Sequence, residues 1–287
     1  MPIRFGPAGN SEIFYKQGHT ASLEAPQWLN SMGLNAYEYP CGRGVKIGEE
    51  TARRLGENAT KYNISLSLHA PYYINLASQE SDKIKNSIGY IVQSVITARF
   101  MGAKRVVVHP GSCGTISRNT AMITAIETFK RAIDIIHDMK YDDIILCPET
   151  LGKRNQLGTL DEIIEFCTCN DSIIPTLDFG HINALGLGCL KTEDDYRYIL
   201  EKVKNCLGAY RLKNIHCHFS RIEFTNAGEK RHWTLDDIEY GPEFEPLAKL
   251  LVEYDMNPII ICESSGTMAE DSLRLKIIYE SFLKPDC

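Results

Sequence analysis

The sequence holds no apolar run of the length a bilayer-crossing helix needs, so a membrane is not an expected partner. Nor does it hold a surplus of positive charge. Its 31 lysines and arginines face 37 aspartates and glutamates, a formal net charge of −6, which argues against a general polyanion binder. A local basic rim stays open, because phosphate affinity depends on where the cations sit. Among ten cysteines none forms a Cys-x-x-Cys pair, and Cys167-Thr-Cys169 is the closest approach. Cys147 and Cys262 lie inside apolar runs, where a thiol behaves as a small hydrophobe. A reduced, cytoplasmic protein is therefore expected rather than a disulfide scaffold. The opening residues, Met1-Pro-Ile-Arg-Phe-Gly6, lack the basic-then-apolar form of a signal peptide. No linker, low-complexity tract or block of like charge marks a boundary. One domain over residues 1–287, a monomer without a protein partner, is the economical reading.

What is present is a regular alternation. Eight β-rich apolar runs can be counted, about Ile3–Gly6, Leu34–Tyr39, Ile64–His69, Arg105–His109, Ile144–Glu149, Ile174–Asp178, Asn214–His218 and Pro258–Glu263. Segments with helical spacing separate most of them: Ala25–Met32, Glu49–Tyr62, Ser81–Met101, Thr120–Met139, Leu160–Cys167, Asp194–Val203, Phe244–Tyr254 and a closing Ser272–Leu283. Ile84, Ile88, Ile91, Val95 and Ala98 share one helical stripe, and Ile123, Ile126, Ala132 and Ile136 share another. Such alternation predicts parallel β-α-β units, and eight of them predict an α/β fold closed into a single (β/α)8 TIM barrel. An open doubly wound sheet is the competing architecture. It wants a Gly-rich phosphate turn after the first strand, for which Phe5-Gly-Pro-Ala-Gly9 is a poor match. The stretch Ser220–Pro242 reads as irregular and exceeds ordinary loop lengths, which marks it for function.

Histidine is scarce, at eight residues, and unevenly placed. Ile174-Pro-Thr-Leu-Asp-Phe-Gly-His181 ends an apolar run on an aspartate, with a histidine three residues on. The same grammar recurs in Ser65-Leu-Ser-Leu-His69, Arg105-Val-Val-Val-His109, Ile144-Ile-Leu-Cys-Pro-Glu149, Asn214-Ile-His-Cys-His218 and Pro258-Ile-Ile-Ile-Cys-Glu263. His137 falls on a helix and His19 in an early loop, whereas the other six fall at strand ends or just after them. Barrel closure brings all strand ends round one mouth, so these runs predict one polynuclear metal site at the C-terminal ends of the strands. Imidazole with carboxylate and no thiolate suits Zn2+, Mn2+ or Fe2+. Any one of these histidines alone reads as a hydrogen-bonded core residue, and Glu149, Asp178 and Glu263 alone could pair with arginines. Their coincidence carries the metal reading.

Over nearly the whole chain these residues resemble the endonuclease IV family, zinc-dependent apurinic/apyrimidinic endonucleases built on a TIM barrel. The resemblance is carried by Leu68-His-Ala-Pro-Tyr-Tyr-Ile-Asn-Leu76, Val108-His-Pro-Gly-Ser112, Pro148-Glu-Thr150, Leu177-Asp-Phe-Gly-His181, Ile215-His216 and Cys262-Glu263. It implies two or three zinc ions. His69, His109 and Glu149 would hold the first, and Glu149 would bridge to a second completed by Asp178, His216 and Glu263. His181 and His232 would hold a third. It further implies abasic DNA as the partner, cleaved 5′ to the lesion in base excision repair, with Glu149, Asp178 and Glu263 as catalytic carboxylates. The chain departs from the family at the last ligand pair, written Asp-x-His there. Gly228-Glu-Lys-Arg-His232 puts Lys230 at the aspartate's position, and Glu229 substitutes if the loop has gained a residue. After His216 the chain reads Cys-His-Phe-Ser220 in place of Leu-Asn-Asp-Ser, so His218 is an extra imidazole near the mouth. For DNA the resemblance implies Tyr72 at the lesion and Arg43 beside it; Lys230 and Arg231, in a segment predicted to follow a strand, are among the cations placed to meet phosphate. Tyr72 reads equally well as an aromatic packed over the rim.

A cluster of divalent ions at a cation-rimmed mouth is built to hydrolyse a phosphate ester without a side-chain nucleophile. The competing class is a sugar isomerase or epimerase of the xylose isomerase-like superfamily. There Glu149, Asp178, His216 and Glu263 would hold one metal and Glu38 would reach a sugar hydroxyl, leaving His69, His109, His181 and His232 surplus. A non-catalytic barrel that binds DNA or a metabolite is the third class, and metal stoichiometry separates the three.

Overall fold

The computed structural model describes residues 3–283, so the ends of the expected 1–287 domain, Met1 and Pro2 among them, lie outside the described residues. Its strands are β1 (Arg4–Pro7), β2 (Ala36–Pro40), β3 (Ser65–His69), β4 (Arg105–Val108), β5 (Ile145–Pro148), β6 (Thr176–Asp178), β7 (His216–Phe219), β8 (Arg221–Thr225), β9 (Gly228–Trp233) and β10 (Ile259–Cys262). Eight of them form two parallel runs, β1-β10-β7-β6 and β2-β3-β4-β5. Parallel bridges between Ala8 and Glu38 and between Glu149 and Thr176 join the runs and close the cylinder. The TIM barrel read from the alternation is the fold observed.

Parallel strands are covered on both faces, which is why Val106, Val107 and Val108 of β4 and Ile260 and Ile261 of β10 are all buried. Outside them, helix Ser81–Met101 buries Ile88, Ile91, Val95, Ala98 and Met101 against the barrel. In helix Arg118–Asp138 the buried stripe runs through Met122, Ala125, Phe129, Ala132 and Ile136. Ile123, expected on that stripe, is 54% exposed. One residue is a rotation of about 100°, enough to carry a side chain from the core face to solvent. At the seam, a Cβ on Gly6 of β1 would collide with the Ala36 carbonyl of β2, so the strands approach this closely only with glycine there. Among the described residues no helix is long and apolar enough to cross a membrane.

Ser220–Pro242 is not the irregular loop expected. It contains the antiparallel hairpin β8–β9, docked on the loop after β5. The Glu229 amide donates to the Gly152 carbonyl at 2.8 Å. Gly228, at φ 96°, lies against the same backbone, where a side chain would have no room.

Candidate metal centre

Strand register decides which side chains reach the mouth. Asp178 of β6 stands opposite His218 of β7, and Thr176 opposite His216. Alternate residues of a strand share a face, so His216 and His218 both point into the barrel with His218 one layer nearer the mouth. The place beside Asp178 and Glu263 expected for His216 is therefore filled by His218. His216 lies a layer deeper, its Nε2 2.9 Å from Glu38.

Three sets of metal-ligating side chains adjoin at the mouth: His69, His109 and Glu149; Glu149, Asp178, His218 and Glu263; and His181, Glu229 and His232. Within each set the donor atoms lie within 4.8 Å of one another. Glu149 is common to the first two. Its Oε2 is 3.2 Å from His69 Nε2 and 3.0 Å from His109 Nε2, and its Oε1 is 3.3 Å from the Nδ1 atoms of His181 and His218. Donors held around one tetrahedral zinc stand about 3.4 Å apart, so these separations suit an ion.

Asp178 supplies a sharper test of fit. Its Oδ1 caps helix Phe179–Leu185 by accepting from the His181 amide at 2.8 Å. Its Oδ2 is buried without a hydrogen bond, although His181 Nδ1 is 3.0 Å away, because that nitrogen is bonded to the Thr150 carbonyl at 3.0 Å. An orphaned carboxylate oxygen in the interior is costly, and a divalent cation would satisfy it. The histidines are likewise prepared. His69 Nδ1 is tied to the Ala70 carbonyl and His232 Nδ1 to Ser220 Oγ, each at 2.8 Å, which leaves the far ring nitrogens for an ion. The donor set, imidazole and carboxylate without thiolate, fits zinc, manganese or iron.

The charges balance only in part. Burial would raise Glu149, but the charges of His109 and His218, with hydrogen bonds from His109 and His181, hold it well below the usual carboxylate range. Burial would lower His69, yet the bond to Glu149 and the Glu149 charge push it up to about 9. His181 likewise rises to about 10, through Asp178 and Glu149. Asp178 moves the opposite way from Glu149, raised by its burial and by the charges of Glu263 and Glu149. Without an ion, protons on these imidazoles stand in for cations. Metal must displace those protons, so loading should release protons and weaken as pH falls. Titration calorimetry in buffers of different ionisation enthalpy measures that release, and an invariant heat would contradict it.

Glu229 and His232 are three residues apart, a spacing that in a regular strand sets two side chains on opposite faces. A β-bulge corrects this: Phe224 pairs with Glu229 and Glu223 with Arg231, leaving Lys230 as the extra residue. Both side chains then face the mouth, and Glu229 joins His181 and His232 in one donor set. Lys230 and Arg231 turn to the other face, where both pair with Glu223, at 2.5 and 2.6 Å. Deleting Lys230 leaves Glu229 and His232 two apart, still on one face. The deletion should therefore keep the metal content measured by elemental analysis, and loss of one ion would refute the bulge argument.

The sets open into a cavity of about 330 Å³, whose wall adds Tyr72, Leu151, Lys153 and Gln156 to the ligands. Tyr72 is 52% exposed and packs on Tyr73 with ring centroids 4.5 Å apart. Arg43 is exposed and within electrostatic reach of Tyr73. A larger hollow of about 570 Å³ near Arg53 and Phe100 contains no imidazole, so size does not locate the chemistry. His19 and His137 lie apart from the mouth, paired with Glu24 and Asp142.

A family model described as xylose isomerase-like TIM barrel matches residues 26–277. An uncharacterized protein of Methanocaldococcus jannaschii is 34% identical over 242 residues, 84% of this chain and 86% of that one. A protein of Mycoplasma genitalium named probable endonuclease 4 is 29% identical over 254 residues, 85% of this chain and 80% of that one. Among solved structures, a D-tagatose 3-epimerase-like protein superposes with a TM-score of 0.72 at 20% identity, over 98% of this chain and 97% of that one. Endonuclease IV from Thermus thermophilus superposes with a TM-score of 0.67 at 16% identity, over 97% and 98%. At those identities the two structures share a fold with this chain.

Proposed function

Since the chain belongs to the xylose isomerase-like TIM barrel family, we propose that it is a metal-dependent phosphodiesterase acting on DNA, an apurinic/apyrimidinic endonuclease that cleaves 5′ to abasic sites with two or three zinc ions. The observation that carries this reading is the setting of Glu149: a single buried carboxylate has four imidazoles within 3.3 Å. A mononuclear centre would leave His69, His109, His181, His232 and Glu229 without a task. Relatives named probable endonuclease 4 support the same choice.

Bound ions would supply Lewis acidity for the scissile phosphate and lower the pKa of a water. The residues of the chain do the rest. Glu149 would bridge the ion held by His69 and His109 to the ion held by Asp178, His218 and Glu263, and His181, Glu229 and His232 would hold another. Lys153 stands on the cavity wall, 3.9 Å from Glu229, where its ammonium can meet a phosphate oxygen. The exposed Tyr72–Tyr73 pair offers a stacking face at the rim, and a nucleotide lacking its base is the cheapest to extrude from a duplex.

A second reading keeps one observation in its favour. Glu149, Asp178, His218 and Glu263 alone could hold one ion, as a sugar epimerase would need. Glu38, expected to touch a sugar hydroxyl there, is fully buried, with its carboxylate against His216 and His218. Elemental analysis beside a nicking assay on duplex DNA with one abasic site decides. About three equivalents with nicking sustain the nuclease, and about one with ketose interconversion sustains the epimerase. In the same assays Glu229→Ala should lose one equivalent. Tyr72→Ala should keep its metal and bind abasic duplex about tenfold more weakly, since one base–aromatic stack contributes about 1–3 kcal/mol.

A further inference from the structure

Beneath the mouth lies a layer of polar residues that belongs to none of the three ligand sets there. Glu38 and His216 are fully buried, and Ser67 almost so. Glu38 Oε2 accepts from Ser67 Oγ at 2.7 Å and from His216 Nε2 at 2.9 Å. Behind His216, Arg105 reaches its Nδ1 at 3.5 Å and is itself anchored on the Asn214 and Ile215 carbonyls. The other oxygen of Glu38 lies 3.0 Å from His218 Nε2, a charge contact without hydrogen-bond geometry, and neither of these two buried atoms has a hydrogen-bond partner. The opposite nitrogen of the same ring, Nδ1, faces Glu149 at 3.3 Å and Glu263 at 3.4 Å.

We propose that Glu38 is a positioning residue for the metal centre: it takes the Nε2 hydrogen of His218 and so commits Nδ1 to the ion held with Glu149, Asp178 and Glu263. The inference rests on the reading of the mouth as a metal centre. A neutral imidazole has one donor nitrogen and one acceptor, and an ionised carboxylate only accepts. Without an ion both ring nitrogens face carboxylates; once an ion displaces the Nδ1 proton, the remaining hydrogen stays on the Glu38 side and the Nδ1 lone pair turns to the mouth. His69, His181 and His232 have their spare nitrogens hydrogen-bonded to a carbonyl or hydroxyl, with His181 Nδ1 also 3.0 Å from Asp178, whereas the spare nitrogen of His218 faces a carboxylate that lies outside the three sets, a partner that raises ligand basicity. Ser67, His216 and Arg105 keep Glu38 from swinging. A further ion among Glu38, His216 and His218 is the competing use of the same atoms. Against it stand the two donors that already occupy Glu38 Oε2 and the Arg105 guanidinium behind His216.

The test compares Glu38→Gln, Glu38→Ala and Ser67→Ala with the wild type. Zinc affinity is measured by chelator competition, content by elemental analysis, and the His218 ring by 15N NMR of histidine-labelled protein. The wild-type ring should show a metal-bound Nδ1 and a protonated Nε2. Glu38→Gln and Glu38→Ala should weaken one zinc by about 10- to 100-fold and lose that single ring form. Ser67→Ala, which leaves the carboxylate in place, should weaken it less, and it serves as the arm that reports if the Glu38 variants do not fold. Unchanged affinity and an unchanged ring signature in a folded variant overturn the proposal. So does a wild-type His218 ring with metal on Nε2, the nitrogen that faces Glu38, since that marks an ion bound at Glu38 itself. A wild type that binds no metal refutes the metal centre, a different result from a Glu38 variant that matches a zinc-loaded wild type.

Discussion

Glu149→Gln should abolish metal-dependent cleavage of abasic DNA, lowering kcat/KM by about 10³-fold or more, against the 10- to 100-fold typical of residues one contact further from an ion. Glutamine keeps the shape and the hydrogen-bonding capacity of the side chain but carries no charge. The position is buried among imidazoles at the cavity wall, and no other side chain among the described residues there supplies the lost charge to both sets. His109, His181 and His218 all direct their charge or hydrogen bonds at this one carboxylate. Removing it therefore disturbs two ligand sets at once. The readouts are the nicking rate, the number of bound ions and the circular dichroism spectrum. Full activity in a folded variant would end the bridging role.

Stripping the ions with a chelator should lower the melting temperature by about 10 °C, and zinc should restore it. Ligand present at about a thousand times its Kd stabilises a fold by about 4 kcal/mol. In a chain near this size each kcal/mol moves Tm by about 2–4 °C. The structural cause is the crowding of Glu149, Asp178 and Glu263, with Glu229 in the adjoining set, around one mouth. Asp178 is raised by its burial and by the neighbouring Glu263 and Glu149 charges, and its Oδ2 lacks a hydrogen bond. Divalent ions relieve both the repulsion and the missing bond. Scanning calorimetry with and without chelator measures the shift. Equal melting temperatures would mean that the cluster is an ion-paired interior with no use for metal.

Two lines of sequence reasoning disagreed over β7, and the structure separates them. Matching positions to a family motif pointed to His216 as the ligand. The plainer rule, that the apolar run ends on the ligating residue, pointed to His218, where Asn214-Ile-His-Cys-His218 stops. The register sets His218 opposite Asp178, and the donor set that contains Asp178 and Glu263 contains His218. Glu38 was visible as a carboxylate in a strand, but nothing local showed that it would be sealed beneath His218. Lys230 and Arg231 looked free to meet phosphate because their partner, Glu223, lies on the facing strand of a hairpin that the sequence presented as a loop.

The sequence by itself determined the barrel and the imidazoles and carboxylates gathered at its mouth. Strand and helix periods are local patterns, and a closed parallel sheet brings every strand end to one place whatever the details of pairing. Only the tertiary structure decided which imidazole reaches the cluster, how Glu229 and His232 come to share a face, and which cations are already neutralised. Those outcomes depend on register between segments distant in the chain, such as β6 and β7, and on one extra residue in β9. A strand's side chains repeat every two residues, so moving a ligand one layer along the barrel leaves its local pattern unchanged.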